Sequence, residues 1–276
     1  MKKIFTALSV LMIFSLILTG CGNTKPAPPQ VKLGIIKHLN ASEEEFNNFT
    51  KKVSDTFSLA MTSYNPVFFD NLNSMILALD AGEIKVMSTY ECVAQYLTAR
   101  NPKYEIMIDD SLEFIDAFCF AMREEDVALK NDVDKFINEI NTDGTLERLT
   151  KEYITDVNKT DPPKIEIPHI DGADTLKVAV TGDLPPLDLE LAEGSPAGFN
   201  TAIIAEMSKR LNKNIEIISI DSAARASALT SGQADMIFWA IVPVSEIIPA
   251  DADKPAGTIL SAPYYRGRIV HVKLKD

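Results

Sequence analysis

Cysteine is scarce in this chain, with only Cys21, Cys92 and Cys119. That supply supports neither a disulfide-dense scaffold nor a zinc framework, and leaves at most a single Cys92–Cys119 bridge open. Histidine is equally thin: His38, His169 and His271 fall in a post-strand loop, a linker and a strand, with no spacing that gathers them around a metal. Positive charge is in the minority. The 27 basic against 39 acidic residues give −12, and cleavage removing Lys2 and Lys3 takes this to about −14. Without a basic stripe to neutralise phosphates, nucleic-acid binding is not expected. Broad electrostatic docking on anionic lipid is not expected either. Also missing are a nucleophile motif, a phosphate-cradling loop and, beyond the N-terminus, any apolar run long enough to cross a bilayer. The acids Glu124-Glu125-Asp126 read as a solvated turn. Catalytic residues, metals and cofactors are therefore not expected.

The N-terminus is distinctive. A basic Met1-Lys2-Lys3 start precedes an apolar stretch over 4–19, too short to span a bilayer comfortably. Leu18-Thr19-Gly20-Cys21 follows and resembles the bacterial lipobox, which implies a signal peptide over 1–20 and diacylation of Cys21. Residues 21–30 contain the polar, Pro-rich run GNTKPAPPQ, suited to an extended tether. This reading puts the protein outside the cytoplasm, held at the bacterial cell membrane by an acyl anchor. The roughly 245 residues that remain suit two lobes of ordinary domain size.

Their periodicity is α/β. Lys32–Ile36 reads as a strand, and Ser42 with Glu45 makes a capping box for a helix burying Phe46, Phe49 and Val53. Phe57–Met61 is an expected strand. Leu72, Met75, Ile76 and Leu79 mark a helix that Gly82 ends. Strands follow near Ile84–Ser88, Tyr104–Ile108 and Ala117–Met122. Two amphipathic helices then carry Val133, Phe136, Ile137 and Ile140, and Leu146, Leu149 and Tyr153. Residues 156–173 hold Asp161-Pro162-Pro163 and Ile167-Pro168 and read as an extended linker. Beyond it come a strand at Leu176–Val180, a helix from Asn200, a strand at Asn214–Ile220, a helix at Ala223–Thr230, and strands at Met236–Ala240 and Arg268–Leu274. One echo stands out: Ala78-Leu79-Asp80-Ala81-Gly82-Glu83 and Ala228-Leu229-Thr230-Ser231-Gly232-Gln233 each run helix, glycine stop, strand.

Several segments carry a family resemblance. They are Leu176–Leu187 (LKVAVTGDLPPL), Pro196-Ala197-Gly198-Phe199-Asn200, Ala228-Leu229 with Gly232 and Asp235-Met236-Ile237, and Leu260-Ser261-Ala262-Pro263-Tyr264-Tyr265. In this order and spacing, the part from residue 174 to 276 resembles the first lobe of amino-acid-type extracellular solute-binding proteins of ABC importers. The part from 31 to 122 is similar to the second lobe, through residues 69–99, and 123–155 to the helices that return to lobe one. The resemblance implies a two-lobed periplasmic-binding-protein-like fold, with the second-lobe segment preceding the first. A circular permutation, with the old termini joined through 156–173, accounts for that order; so does a degraded tandem of two domains. Permutation predicts a single covalent crossing between lobes, near Ala121–Arg123.

In open α/β lobes, ligands lie beyond the carboxyl ends of the strands. The candidate ligand-binding residues are accordingly Thr181, Asp183, Asn200, Ser222, Arg225 and Trp239 from one lobe, and Asn40, Ser42, Thr89 and Tyr90 from the other. Each has a plainer reading: helix caps for Asn200, Ser42 and Ser222, a turn for Asp183, a surface ion pair for Arg225, core for Trp239. Departures from the family pattern matter as much. Where amino-acid binders carry a carboxylate-clamping Arg, this chain has Val244-Ser245-Glu246-Ile247, and Tyr90 stands where an ammonium-binding Asp is usual. An unpaired buried zwitterion costs several kcal/mol, about 3 or more, so a standard amino acid held in the usual way is not expected. Arg225 is the one obvious cation for an anionic group. The expected partners are a small-molecule ligand and the membrane subunits of an ABC transporter. The competing expectation is a sensing or scaffold lipoprotein that keeps the fold without transport.

Overall fold

The computed structural model describes residues 31–37, 64–107, 114–157, 162–244, 250–251 and 253–275. Asn40, Ser42 and Cys21 lie outside them, as do the elements expected between 42 and 61. Apolar runs set the strands. Val31–Ile36 (β1), Tyr64–Phe69 (β2) and Val86–Tyr90 (β3) lie parallel in the order β2-β1-β3. Helices Leu72–Asp80 (α1) and Glu91–Arg100 (α2) connect them onward to Tyr104–Met107 (β4). Thr175–Val180 (β6), Asn214–Ser219 (β10) and Met236–Pro243 (β11) repeat the arrangement in the order β10-β6-β11, again parallel.

Two long strands join these halves. Ile115–Arg123 (β5) runs antiparallel to β11, and Tyr265–Leu274 (β13) pairs with β5 through Tyr265–Arg268 and with β3 through Ile269–Val272. Short strands flank each long one: Thr258–Leu260 (β12) on β5, and β4 on β13. The result is a single sheet ordered β10-β6-β11-β5-β13-β3-β1-β2. Among the described residues the chain passes between halves twice, between Met107 and Ile115 and again within β13 at Arg268–Ile269. The single crossing expected near Ala121–Arg123 is thus corrected, because both ends of β5 pair within the β6 half.

Val127–Thr142 (α3) buries Val133, Phe136, Ile137 and Ile140, and with Thr145–Thr150 (α4) packs on Phe199–Leu211 (α5) of the β6 half. Asp183–Leu184 (β7), Asp188–Glu190 (β8) and Pro196–Ala197 (β9) form a small separate sheet ahead of α5. One apolar core runs through both halves, from Ile36, Leu72 and Tyr90 by way of Phe118 and Phe120 to Val178, Ile203 and Phe238. Cys92 and Cys119 are both buried free thiols, so the bridge left open above is not formed. No described helix is long and apolar enough to cross a membrane.

Candidate functional site

Residues just past the carboxyl ends of β1 and β2 bond residues just past those of β6 and β10. Ser222 opens a 3₁₀ turn leading into helix Arg225–Thr230 (α6). Its hydroxyl donates to the Lys37 carbonyl at 2.5 Å, and its amide donates to Asp70 at 3.1 Å. Asn71 reaches Asp221 at 3.3 Å. Asp183 accepts from the amides of Leu72 and Asn73 at 2.9 and 3.3 Å, so its carboxylate sits at the electropositive start of α1 in the opposite half. These contacts close the two halves on each other. Ser222 is therefore an inter-half link rather than a simple cap, and Asp183 more than a turn residue. Burial pushes Asp183 up to about 6, with the Asn73 amide pulling the other way.

Behind this rim lies Trp239. The β11–β5 register breaks between Ile237 and Ala240, and Trp239 takes a left-handed φ of 58° there. The bulge re-aims its ring into the cleft. The ring meets Tyr90 of the other half edge-on at 5.9 Å, and the Arg225 guanidinium stands 5.0 Å from its centre. Arg225 is wholly buried, which rules out the surface ion pair. It donates to the carbonyl of Phe238, to that of Trp239 at 3.4 Å and to the Ser222 hydroxyl at 3.1 Å; its Nε has no hydrogen-bond partner. Burial lowers its pKa, opposed by the charges of Asp188 and Asp253. Tyr90 in turn donates to Asp116 at 2.9 Å. Burial raises the Tyr90 pKa well above the ordinary value, and pushes Asp116 up to about 6.

Among the described residues, a space of about 30 Å³ lies between the halves, bordered by Ile36, Thr89, Tyr90, Leu184, Trp239 and Ile269. A water needs roughly 10–15 Å³ and a metabolite-sized pocket about 300 Å³ or more. Around Trp239 the described residues therefore fill the cleft with their own side chains. Thr89 borders this space with a buried hydroxyl that has no hydrogen-bond partner. Larger cavities, about 260 Å³ beside Asp188, Glu190 and Ser219 and about 380 Å³ beside Glu91, Gln95 and Arg266, lie elsewhere on the molecule.

Thr181 and Asn200 turn toward Asp188, not toward that space. Asp188 accepts from the Thr181 hydroxyl, from the Gly182 amide at 2.7 Å and from Asn200 Nδ2 at 3.0 Å. Gly198, not Asn200, is the N-cap of α5. Burial raises the pKa of Asp188, opposed by Thr181 and Asn200. Neither Asp188 nor Asp116 was singled out from sequence, yet each is a lone acid inside an apolar run, Leu187-Asp188-Leu189 and Ile115-Asp116-Ala117. Such an acid needs a partner when buried, and both have one. No metal-holding group of three acids, histidines or cysteines occurs among the described residues.

Residues 176–246 match the sequence model of bacterial extracellular solute-binding proteins, family 3, about a quarter of the chain. No curated protein matches. Solved structures that match include the ligand-binding component of an ABC-type import system from Staphylococcus aureus with zinc bound. It is 11% identical with a TM-score of 0.45, covering 89% of this chain and 66% of that one, so this chain spans just under two-thirds of its length. The GluR0 ligand-binding core in complex with L-glutamate is 10% identical with a TM-score of 0.42, over 90% and 86% of the two chains. CbnR, a LysR family transcriptional regulator, is 11% identical with a TM-score of 0.43, over 90% and 64%. Likeness of this degree leaves ligand and partner open.

Proposed function

We propose that this chain is an extracytoplasmic solute-binding protein, anchored through an acylated Cys21, that presents a small polar solute to an ABC importer. The observation that carries the reading is the convergence of strand-end residues from both halves on one buried seam containing a cation, Arg225, beside two aromatic walls, Tyr90 and Trp239. The family match over 176–246 supports it. The repeated strand plan of the halves supports the two-lobed part of this reading, and the swapped lobe order of a permuted binding protein is proposed with it. The ligand-facing set is Arg225, Ser222, Trp239, Thr89 and Tyr90, with Asp183 closing the rim and Thr181 and Asn200 steadying the loop through Asp188. The 30 Å³ cleft favours a second reading, a sensing or scaffold lipoprotein with no transported solute. Native mass spectrometry of the protein purified from its own host separates the two. A stoichiometric small-molecule adduct is expected for the first; bare protein, with no thermal shift across metabolite libraries, favours the second.

A further inference from the structure

We propose that Trp239 is a tethered occupant of the cleft, an indole supplied by the chain itself that holds the halves closed and that an entering solute must displace. The inference rests on the reading of this cleft as the binding site and concerns its regulation. Trp239 is the sole tryptophan of the chain and is 1% exposed, at a backbone conformation bulky residues rarely adopt. That conformation lies inside the register break of β11, so the distortion serves to turn this one ring across the gap.

What surrounds the ring is a binding site in miniature. Arg225 covers its face and is fixed there by the carbonyls of Phe238 and Trp239, while Tyr90 of the opposite half presents an edge. A cation over an aromatic face and an edge-to-face ring are the contacts by which a planar solute would be held. With the indole in place, the 30 Å³ beside it admits water and nothing larger. The solute class that competes is therefore a planar aromatic ring, which meets the same two partners. Closure that the chain supplies for itself shifts the open–closed balance against a solute by whatever the indole contributes.

Two measurements on the full chain test this. In the wild type, acrylamide quenching of Trp239 is followed through sub-denaturing urea beside far-UV circular dichroism. A red-shifted emission and a several-fold rise in the quenching constant while the dichroism stays native are expected, because the ring leaves when the halves part. Quenching and dichroism changing together would overturn the proposal, making Trp239 ordinary core. In Trp239→Gly, where glycine takes a positive φ freely, free indole is the probe. Indole should raise the melting temperature of the variant and leave the wild type unmoved. A native-like variant indifferent to indole overturns the proposal; a variant that does not fold leaves the wild-type quenching to decide. The outcome is separable from the transport reading. A host solute bound while Trp239 stays shielded sinks the tethered ring and keeps solute binding, whereas a releasable ring in a protein that never carries a solute does the reverse.

Discussion

The two halves of the sheet share a plan and differ in chemistry. Each sets three parallel strands in the order 2-1-3, then a long antiparallel strand, then a short fourth strand on it. The shared hexapeptide pattern sits at the same place in both. Gly82 and Gly232 have φ of 71° and 77°, and their amides bond Leu79 and Leu229 at 3.0 and 3.1 Å. Two residues on, Ile84 and Ala234 bond Ala78 and Ala228; one further, Lys85 and Asp235 donate to Lys32 of β1 and Lys177 of β6. The strand facing the cleft is where they part. β3 runs in register with β13 through Tyr90, whereas β11 breaks register at Trp239. Arg225, Asp188 and Ser222 are likewise all in the β6 half. Architecture is repeated, and the buried polar groups that could discriminate a ligand are not.

The largest expected effect comes from breaking what the halves hold in common. Phe118 is wholly buried where β5 meets β13, its ring 4.6 Å from Tyr90 of one half and 5.3 Å from Tyr265 on the crossing strand. The fit is close: a Cβ at Gly267 would stand 2.9 Å from Tyr90 and 3.0 Å from Phe118. Phe118→Ala should lower stability by about 3–5 kcal/mol in urea denaturation. Limited proteolysis should open both halves together. Cleavage confined to one half would show that each has its own core, against the continuous one described.

How much of this was legible depends on whether the signal was local. Apolar periodicity marked α3 through Val133, Phe136, Ile137 and Ile140, because a helix with one buried face writes that face at fixed spacing. It missed β2, where Pro66 argues against a strand. The parallel partner of β2 is β1 alone, so Pro66 sits on an edge of the described sheet, where a missing amide is tolerated. Arg225 could be singled out, being three and four residues before the buried Ala228 and Leu229, but its carbonyl partners come from β11 and carry no sequence mark. The bulge at Trp239 is a tertiary feature set by β5, and Asp183 finds its amide partners about a hundred residues away.

Titration gives a middle-sized effect and separates rim from seam. Asp183 and Asp116 both link the halves, and burial pushes both from 3.8 to about 6. Around Asp183, Asp188 and Asp221 push the same way while the Asn73 and Leu72 amides oppose; around Asp116, the Tyr90 hydroxyl opposes. A carboxyl whose pKa is raised on folding contributes stability that is present below the unfolded value and lost as pH rises through the folded one. Stability from these two groups should therefore fall between about pH 4 and pH 6, by about 3 kcal/mol from Asp116 and by less from Asp183, whose partial exposure discounts its share. Asp116→Asn should flatten much of that slope in denaturation curves. Asp183→Asn should also flatten the pH dependence of Trp239 quenching, since Asp183 bonds across the cleft mouth whereas Asp116 lies where β5 pairs with the joining strand β13. An unchanged quenching profile in Asp183→Asn would remove Asp183 from the closing contacts.

The smallest effect tests the likeness of the halves most directly. A Cβ at Gly232 meets nothing within 4 Å, and one at Gly82 meets only the Lys85 ammonium at 3.7 Å. Space therefore does not oppose alanine at either position; the left-handed backbone does. The cost of that conformation to a residue bearing a Cβ is about 1–2 kcal/mol. Gly82→Ala and Gly232→Ala should thus destabilise equally, to within a few tenths of a kcal/mol (about 0.5 at most), and additively in the double variant because the sites share no partners. Unequal losses would mean that one helix stop relaxes out of its turn and the other does not, and the two matching hexapeptides would then be alike in letters but not in the job they perform.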